Sequence, residues 1–384
     1  MKKVLFATTA LIALGSMAAA DVRLSGYGRF GLDYNDANDD NYNGGNNSAY
    51  NGISSTNITS RLRLQIDMST ETDGGVGFNA RFRAQAESRD NQPGGATFNG
   101  ARFGVTYGGL IVNVGNIIGA VENAPGLYTT GTRSAGTGID GMGFQSLPLK
   151  GLGVDSTADD FGRGGTSFDW DAYDSTGVGA NGIEAIYTVG GFTGHISLSR
   201  NNDQVPVAAT PGNPPFTNPT QAIAQSDGEE RAAIMLSYSF GDYYVTGAYQ
   251  AVDDNGTYTN GNGQVYNQAD GLYFLAAGGD WGQFGAKLAY GSTDVADSWT
   301  LEGNVDVGAA SNILVWVNST DVDGGLLDPA FNDATVVAGA QRLDGTSYGI
   351  NYQYDLGGGV TFVAGAAESA GDNTQVQAGV YFSF

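Results

Sequence analysis

The chain has 384 residues, no cysteine, 61 glycines and only nine prolines. Its 40 acidic residues against 17 basic ones give a formal net charge of −23. A disulfide framework, thiol chemistry and a nucleic-acid partner are excluded on these grounds, and so much glycine with so little proline argues against a disordered linker protein.

The first twenty residues read as a secretory signal. Lys2 and Lys3 precede an apolar core from Val4 to Leu14, and Ala18-Ala19-Ala20 is an A-x-A cleavage site. The core is shorter than the ~20 apolar residues of a spanning helix. The mature chain is therefore expected to begin at Asp21, and residues 21–384 to form one domain. No later apolar run is long enough for a membrane helix.

From Val22 onward the chain is a series of short segments with period-two alternation, the signature of strands with one apolar face. Val22, Leu24, Phe30, Leu32 and Tyr34 share one parity. So do Leu62, Leu64, Ile66 and Met68, then Phe78, Ala80, Phe82 and Ala84. Segments follow at 101–107, 110–114, 183–189, 192–198, 230–240, 242–252, 270–278, 282–291, 298–306, 310–319, 346–355, 359–368 and 375–384. The last, Val376–Phe384 (VQAGVYFSF), ends the chain on an aromatic. These make about sixteen strands, an even number, and the last is about the length a tilted strand needs to cross a bilayer.

The connections alternate short and long. Thr72–Gly75, Gly108–Gly109, Gly190–Gly191, Gly241–Asp242, Gly279–Asp280 and Gly357–Gly359 read as tight turns, where Gly and Asp supply positive φ. Between them lie 35–59, 87–97, 116–182, 201–229, 253–269 and 321–345. Five prolines (Pro206, Pro211, Pro214, Pro215 and Pro219) exclude a central strand from 201–229. Short turns on the side of the termini and long loops on the other mark an all-β, transmembrane, antiparallel up-and-down barrel. Only a closed barrel satisfies strand backbone in hydrocarbon. The segment 116–182 is too long for an ordinary loop. It either folds into the lumen or holds a further hairpin, which would bring the count to eighteen.

If the apolar parity meets lipid, the other parity lines the lumen. That set holds Arg23, Arg29, Arg61, Arg63, Arg81 and Arg83, with Tyr27, Gln65, Gln85, Asp33 and Asp67. Residues 21–102 carry eight of the 17 basic residues, more than twice an even spread. The cluster forms a fixed positive wall. Acids to face it are expected from the long loop, first Glu122 and Asp140, then Asp155, Asp159 and Asp160. Together they would set a transverse field at a constriction.

DVRLSGYGRFGLDYN (Asp21–Asn35), SRLRLQIDMSTETDGGVGFNARFRAQ (Ser60–Gln85) and the tail YGINYQYDLGGGVTFVAGAAES…VQAGVYFSF resemble the general diffusion porins of Gram-negative bacteria, above all those of photosynthetic alphaproteobacteria. The resemblance is strong at both ends of the chain. It implies a sixteen-stranded barrel that assembles as a homotrimer among outer-membrane lipid and lipopolysaccharide, with the third external loop folded inward. It implies the basic role at the constriction for Arg29, Arg61, Arg63, Arg81 and Arg83, with Glu122 the first acidic candidate. The loop departs from the family in its Gly- and Asp-rich extension after Ile139. No cofactor is implied. Some relatives bind calcium near the pore, and this loop carries oxygen donors without a ligand spacing that demonstrates a site.

Other signals carry less. Gly26-Tyr27-Gly28-Arg29-Phe30-Gly31 fits a nucleotide fingerprint but sits inside an alternating strand. His195, the only histidine, falls on the lumen parity with Ser197 and Ser199 and reads as a pore-lining residue rather than a lipase base. The acidic patches at 36–40 and 321–323 read as solvated loop tips. The expected function is passive diffusion of small hydrophilic solutes, without covalent chemistry. A substrate-specific eighteen-stranded channel, such as a sugar channel, and a secreted all-β adhesin are the alternatives.

Overall fold

The computed structural model describes residues 21–36, 38, 54–88, 92–128, 170–200, 230–253, 257–259, 265–267, 271–323 and 344–384. Eighteen strands lie among them: β1 (Asp21–Asn35), β2 (Thr56–Glu71), β3 (Gly77–Glu87), β4 (Arg102–Tyr107), β5 (Leu110–Asn116), β6 (Asn181–Val189), β7 (Phe192–Arg200), β8 (Glu230–Phe240), β9 (Tyr243–Asp253), β10 (Thr257–Thr259), β11 (Val265–Asn267), β12 (Gly271–Trp281), β13 (Phe284–Thr293), β14 (Ala296–Val307), β15 (Ser311–Val322), β16 (Gly345–Gly357), β17 (Val360–Glu368) and β18 (Thr374–Ser383). Sixteen form one closed antiparallel barrel in which chain neighbours pair. β10 and β11 are a separate hairpin in the connection between β9 and β12. The barrel therefore has sixteen strands, and the described part of 116–182 adds none.

Closure is made by the two ends of the chain. β1 pairs with β18 from Tyr27↔Ser383 to Asn35↔Gln375. Gly26 and Phe384 then exchange backbone hydrogen bonds, Gly26 N–H to Phe384 O at 3.0 Å and Phe384 N–H to Gly26 O at 3.1 Å. The glycine pattern of β1 belongs to this seam. A Cβ on Gly28 would collide with the Phe382 ring, and one on Gly26 with the Phe384 ring. These glycines make room for aromatic rings on the outer face; they do not cradle a phosphate.

The alternation holds around the wall. Leu24, Phe30, Ile58, Leu62, Leu275 and Leu288 are among the exposed outer side chains. Aromatic residues gather at the short-turn end. Tyr238, Phe240, Tyr243 and Trp281 stack in series with ring centroids 5.8, 5.8 and 6.1 Å apart, a girdle where a ring meets lipid on one side and headgroups on the other. Positive-φ glycines stand at the expected turns at 75, 108–109, 190, 241 and 357–359. One turn is displaced. β12 runs on through Trp281, pairing Asp280 with Gly285, so the reversal falls at Gly282 (φ 67°) rather than at Gly279–Asp280.

Leu288 lies mid-strand on β13 and points outward. Leu288→Arg should cost about 2–4 kcal/mol, the range for a cation near the bilayer midplane. Urea unfolding in phospholipid vesicles measures it; a loss below about 0.5 kcal/mol, the size of an ordinary surface change, would mean that this face does not meet hydrocarbon.

Candidate functional site

The inner faces of β1 to β4 bring the arginines into register. Arg29 stands opposite Arg61, and Tyr27 opposite Arg63. Across β2 and β3, Arg61 meets Glu87, Arg63 meets Gln85, Gln65 meets Arg83 and Asp67 meets Arg81. Arg81 in turn faces Arg102 on β4. The six arginines expected from parity, Arg23, Arg29, Arg61, Arg63, Arg81 and Arg83, are on this wall. Arg102 was missed, although Phe103 and Val105 on the outer parity place it inward.

Among the described residues, Arg61 and Arg81 pair with acids of the wall itself. Arg61 forms an ion pair with Glu87. Arg81 Nε donates to Asp67 Oδ1 at 2.6 Å. The two central arginines have neutral partners: Arg63 Nε donates to Gln85 Oε1 at 2.7 Å and Arg83 Nε to Gln65 Oε1 at 2.8 Å. Asp33 accepts from Gln377 Nε2 at 2.7 Å. Tyr27 stacks on Tyr381 with ring centroids 5.0 Å apart, and the Arg63 guanidinium lies 5.0 Å from the Tyr27 ring centre.

The long connection after β5 turns into the lumen. Gly115 (φ 93°) and Gly119 (φ 81°) supply the bend. Glu184 on β6 receives it: its Oε2 accepts the N–H groups of Ile118 (3.1 Å) and Gly119 (2.9 Å). Asn113 Nδ2 donates to Glu184 Oε1 at 2.7 Å, and His195 Nε2 lies 3.2 Å from Glu184 Oε2. Ser197 Oγ accepts the N–H of Ala120. His195 does fall on the inner face, but it does not line a wet lumen. It is 1% exposed, covered by the loop it helps to hold.

Beyond these anchors the described part of the loop packs through apolar side chains. Ala120, Val121, Ala124 and Leu127, with Trp170 from the returning arm, pack on Met235, Leu272, Phe274 and Ala276 of β8 and β12. Each buried Val or Leu side chain contributes about 1.5–3 kcal/mol, against about 0.5–1.5 kcal/mol net for a hydrogen bond. Apolar burial therefore supplies most of the grip, and the hydrogen bonds fix its register. At the far wall Lys287 Nζ donates to the backbone O of Tyr128 at 2.5 Å and sits 2.9 Å from Glu302 Oε2, both side chains being 1% exposed. Glu122 accepts from Tyr128 Oη (2.6 Å) and Trp170 Nε1 (2.8 Å). Asp140, Asp155, Asp159 and Asp160 lie outside the described residues.

The returning arm crosses back over the wall. Asp171 accepts from Ser199 Oγ (2.8 Å) and Arg231 Nη1 (3.2 Å). The Tyr173 ring then lies 4.5 Å from the Arg83 guanidinium and 5.2 Å from that of Arg102. Arg83 Nη1 donates to Ser175 Oγ at 3.2 Å. Among the described residues there is no group of three His, Asp or Glu side chains placed to hold a metal ion.

A closed barrel too wide for its own side chains to fill, narrowed by its own loop and charged along one wall, defines a channel. The family profile for Gram-negative porins matches residues 7–374. The porin of Fuscovulum blasticum is 28% identical over 373 residues, covering 95% of this chain and all of that protein. The Rhodobacter capsulatus porin is 25% identical over 382 residues, with the same coverage. Engineered variants of the Rh. blastica porin superpose with TM-scores of 0.62 and 0.61 at 23% and 24% identity, over 95% of this chain and 100% of theirs. The chain belongs to the Gram-negative porin family, and its function is the family's: an outer-membrane channel for passive diffusion of small hydrophilic solutes.

Lys287→Met tests the far anchor of the loop. It leaves the Glu302 carboxylate buried without its cation, at a cost of about 3–5 kcal/mol. The expected results are lower unfolding stability and a noisier, larger single-channel conductance. Adding Glu302→Leu should restore most of the stability but not the bond to Tyr128. Unchanged stability in Lys287→Met would show that the pair is not buried in the membrane-inserted protein.

Proposed function

We propose that the inward loop and the wall of Arg29, Arg61, Arg63, Arg81 and Arg83 form the selectivity constriction of the channel. The carrying observation is the placement of fixed charge. The loop packs on the inner faces of β8, β9, β12 and β13, and the arginines line β1 to β3 across the space it leaves. Glu122 and Asp140 on the loop supply the opposing acids. The filter is electrostatic and steric, and no bond is made or broken in the solute.

Two tendencies compete for the ionic preference. The acidic loops, within a net charge of −23, gather cations at the mouth. The arginine wall draws anions at the narrow point. Distant loop charges are screened beyond about 10 Å at 0.1 M salt, so the constriction dominates as salt rises. The net selectivity is weak.

The chain is exported with residues 1–20 removed. It assembles as a homotrimer in outer-membrane lipid and lipopolysaccharide. β4 and β5 span only six and seven residues, against the ~9–11 a lipid-facing strand needs. Burial of this low wall and its apolar groove, lined by Met68, Phe78, Ala80, Phe103, Val105 and Val114, against neighbouring subunits relieves the mismatch.

Reversal potentials across a KCl gradient in planar bilayers test the reading. The wild-type permeability ratio should stay within about tenfold, equivalent to about 1.4 kcal/mol. Replacing Arg61, Arg63, Arg81 and Arg83 together by Ser should move it toward cations. An unmoved reversal potential would contradict the placement of these side chains at the bottleneck.

A further inference from the structure

The arginines of β2 and β3 are held in two different ways, and the difference points to a ligand. Arg61 and Arg81 are neutralised by Glu87 and Asp67. Arg63 and Arg83 give their Nε hydrogens to glutamine oxygens, which orient a guanidinium without cancelling its charge. Glutamine orients Arg63 and Arg83 as a carboxylate would, yet leaves their positive charge in place for something else. Arg23 and Arg102 likewise form no ion pair among the described residues.

The two glutamine-held arginines are diagonal neighbours. Arg63 pairs with Gln85 and Arg83 with Gln65 on adjacent strands, a relation that sets Cβ atoms about 7–8 Å apart or less. Their forks are therefore within reach of one small ligand. Both line a recess in the lumen wall with Arg23, Ser25, Tyr27 and Gln65. Among the described residues no Asp or Glu side chain lines it. Phe384 also lines it, and its carboxyl group makes no ion pair with these arginines. The Ser25 hydroxyl is directly opposite Gln65. The Tyr27 ring is already engaged by Tyr381 and by Arg63, so the recess offers chiefly charge and hydrogen-bond donors. Arg81 and Arg102 add to the positive potential at Arg83.

Three to four positive charges around a site rich in donors, against the single terminal carboxylate of Phe384, leave a net positive charge that favours an oxyanion with two negative charges over chloride or a monocarboxylate. Guanidinium forks match oxyanion geometry bidentately. Like charges held this close repel, and a dianion between them removes that repulsion. We propose that the recess between Arg63 and Arg83 is a saturable binding site for a small dianionic oxyanion, inorganic phosphate or a phosphate monoester, on its way through the channel. The inference rests on the channel reading above and adds a stopping point to what is otherwise free diffusion.

Single-channel recording of the purified full-length protein tests it. Conductance is first measured in KCl alone, where absence of channel steps would count against the channel reading rather than the site. Potassium phosphate at pH 8 is then titrated in at constant ionic strength, with nitrate as the monovalent comparison. The site predicts that phosphate lowers the conductance along a saturating curve while nitrate does not. Arg63→Ser and Arg83→Ser should each raise the half-blocking phosphate concentration by about tenfold, the scale of one charge-assisted hydrogen-bonding partner, and Arg200→Ser, at the loop end of β7, should leave it unchanged. A purely linear response to phosphate, equal effects of nitrate and phosphate, or block that survives the Arg63→Ser, Arg83→Ser double variant would overturn the proposal.

Discussion

No water reaches the hydrocarbon to satisfy a strand's backbone, so each N–H and C=O there must find a partner within the protein. This constraint governs the structure. It forces the first strand to meet the last, and the chain spends its two ends on that seam, from the Gly26–Phe384 exchange to Asn35↔Gln375. Closure of sixteen strands then fixes a bore too wide for inward side chains to fill. The rest follows from how that bore is divided.

One side is filled and dry, the other lined and charged. On β12 the inner parity reads Leu272, Phe274, Ala276 and the outer parity Tyr273, Leu275, Ala277. A strand apolar on both faces would be costly beside water. Here one face meets lipid and the other meets the loop. On β2 the inner parity reads Arg61, Arg63, Gln65, Asp67, and none of the apolar cluster of described loop residues packs on it. The buried polar groups under the loop, Glu184, His195, Ser197 and Lys287, are each joined to a loop backbone group or to one another. They set where the loop lies, and the apolar packing sets how firmly.

Much of this architecture was legible from alternation alone, because lipid outside and water inside impose period two on residues such as Val22 to Tyr34. The sixteen strand segments and the inward parity of the arginines followed from that rule, most turns were read from their Gly and Asp residues, and a count of eighteen stayed open until the register was known. The turn after β12 was set too early because Gly279–Asp280 resembles a hairpin signal, while the pairing that carries the strand on to Trp281 is a property of its neighbour. The dry half of the bore was not legible, since Phe274 and Leu127 are far apart in sequence and their contact exists only after closure. For the same reason His195 read as a pore-lining residue. The acids of the wall, Glu87 and Asp67, were on the page from the start, but their pairing with Arg61 and Arg81 depends on strand register, which one sequence does not reveal.

The account depends on neighbouring residues of one strand living in different solvents. The chain has no cysteine, so single cysteines can be placed one at a time from position 61 to position 66 of β2 and probed in membranes with a charged, water-soluble thiol reagent and a lipid-partitioning one. The account predicts strict alternation, with positions 61, 63 and 65 modified only by the charged reagent and positions 62, 64 and 66 only by the lipid-soluble one. Modification of consecutive positions by the same reagent would contradict it.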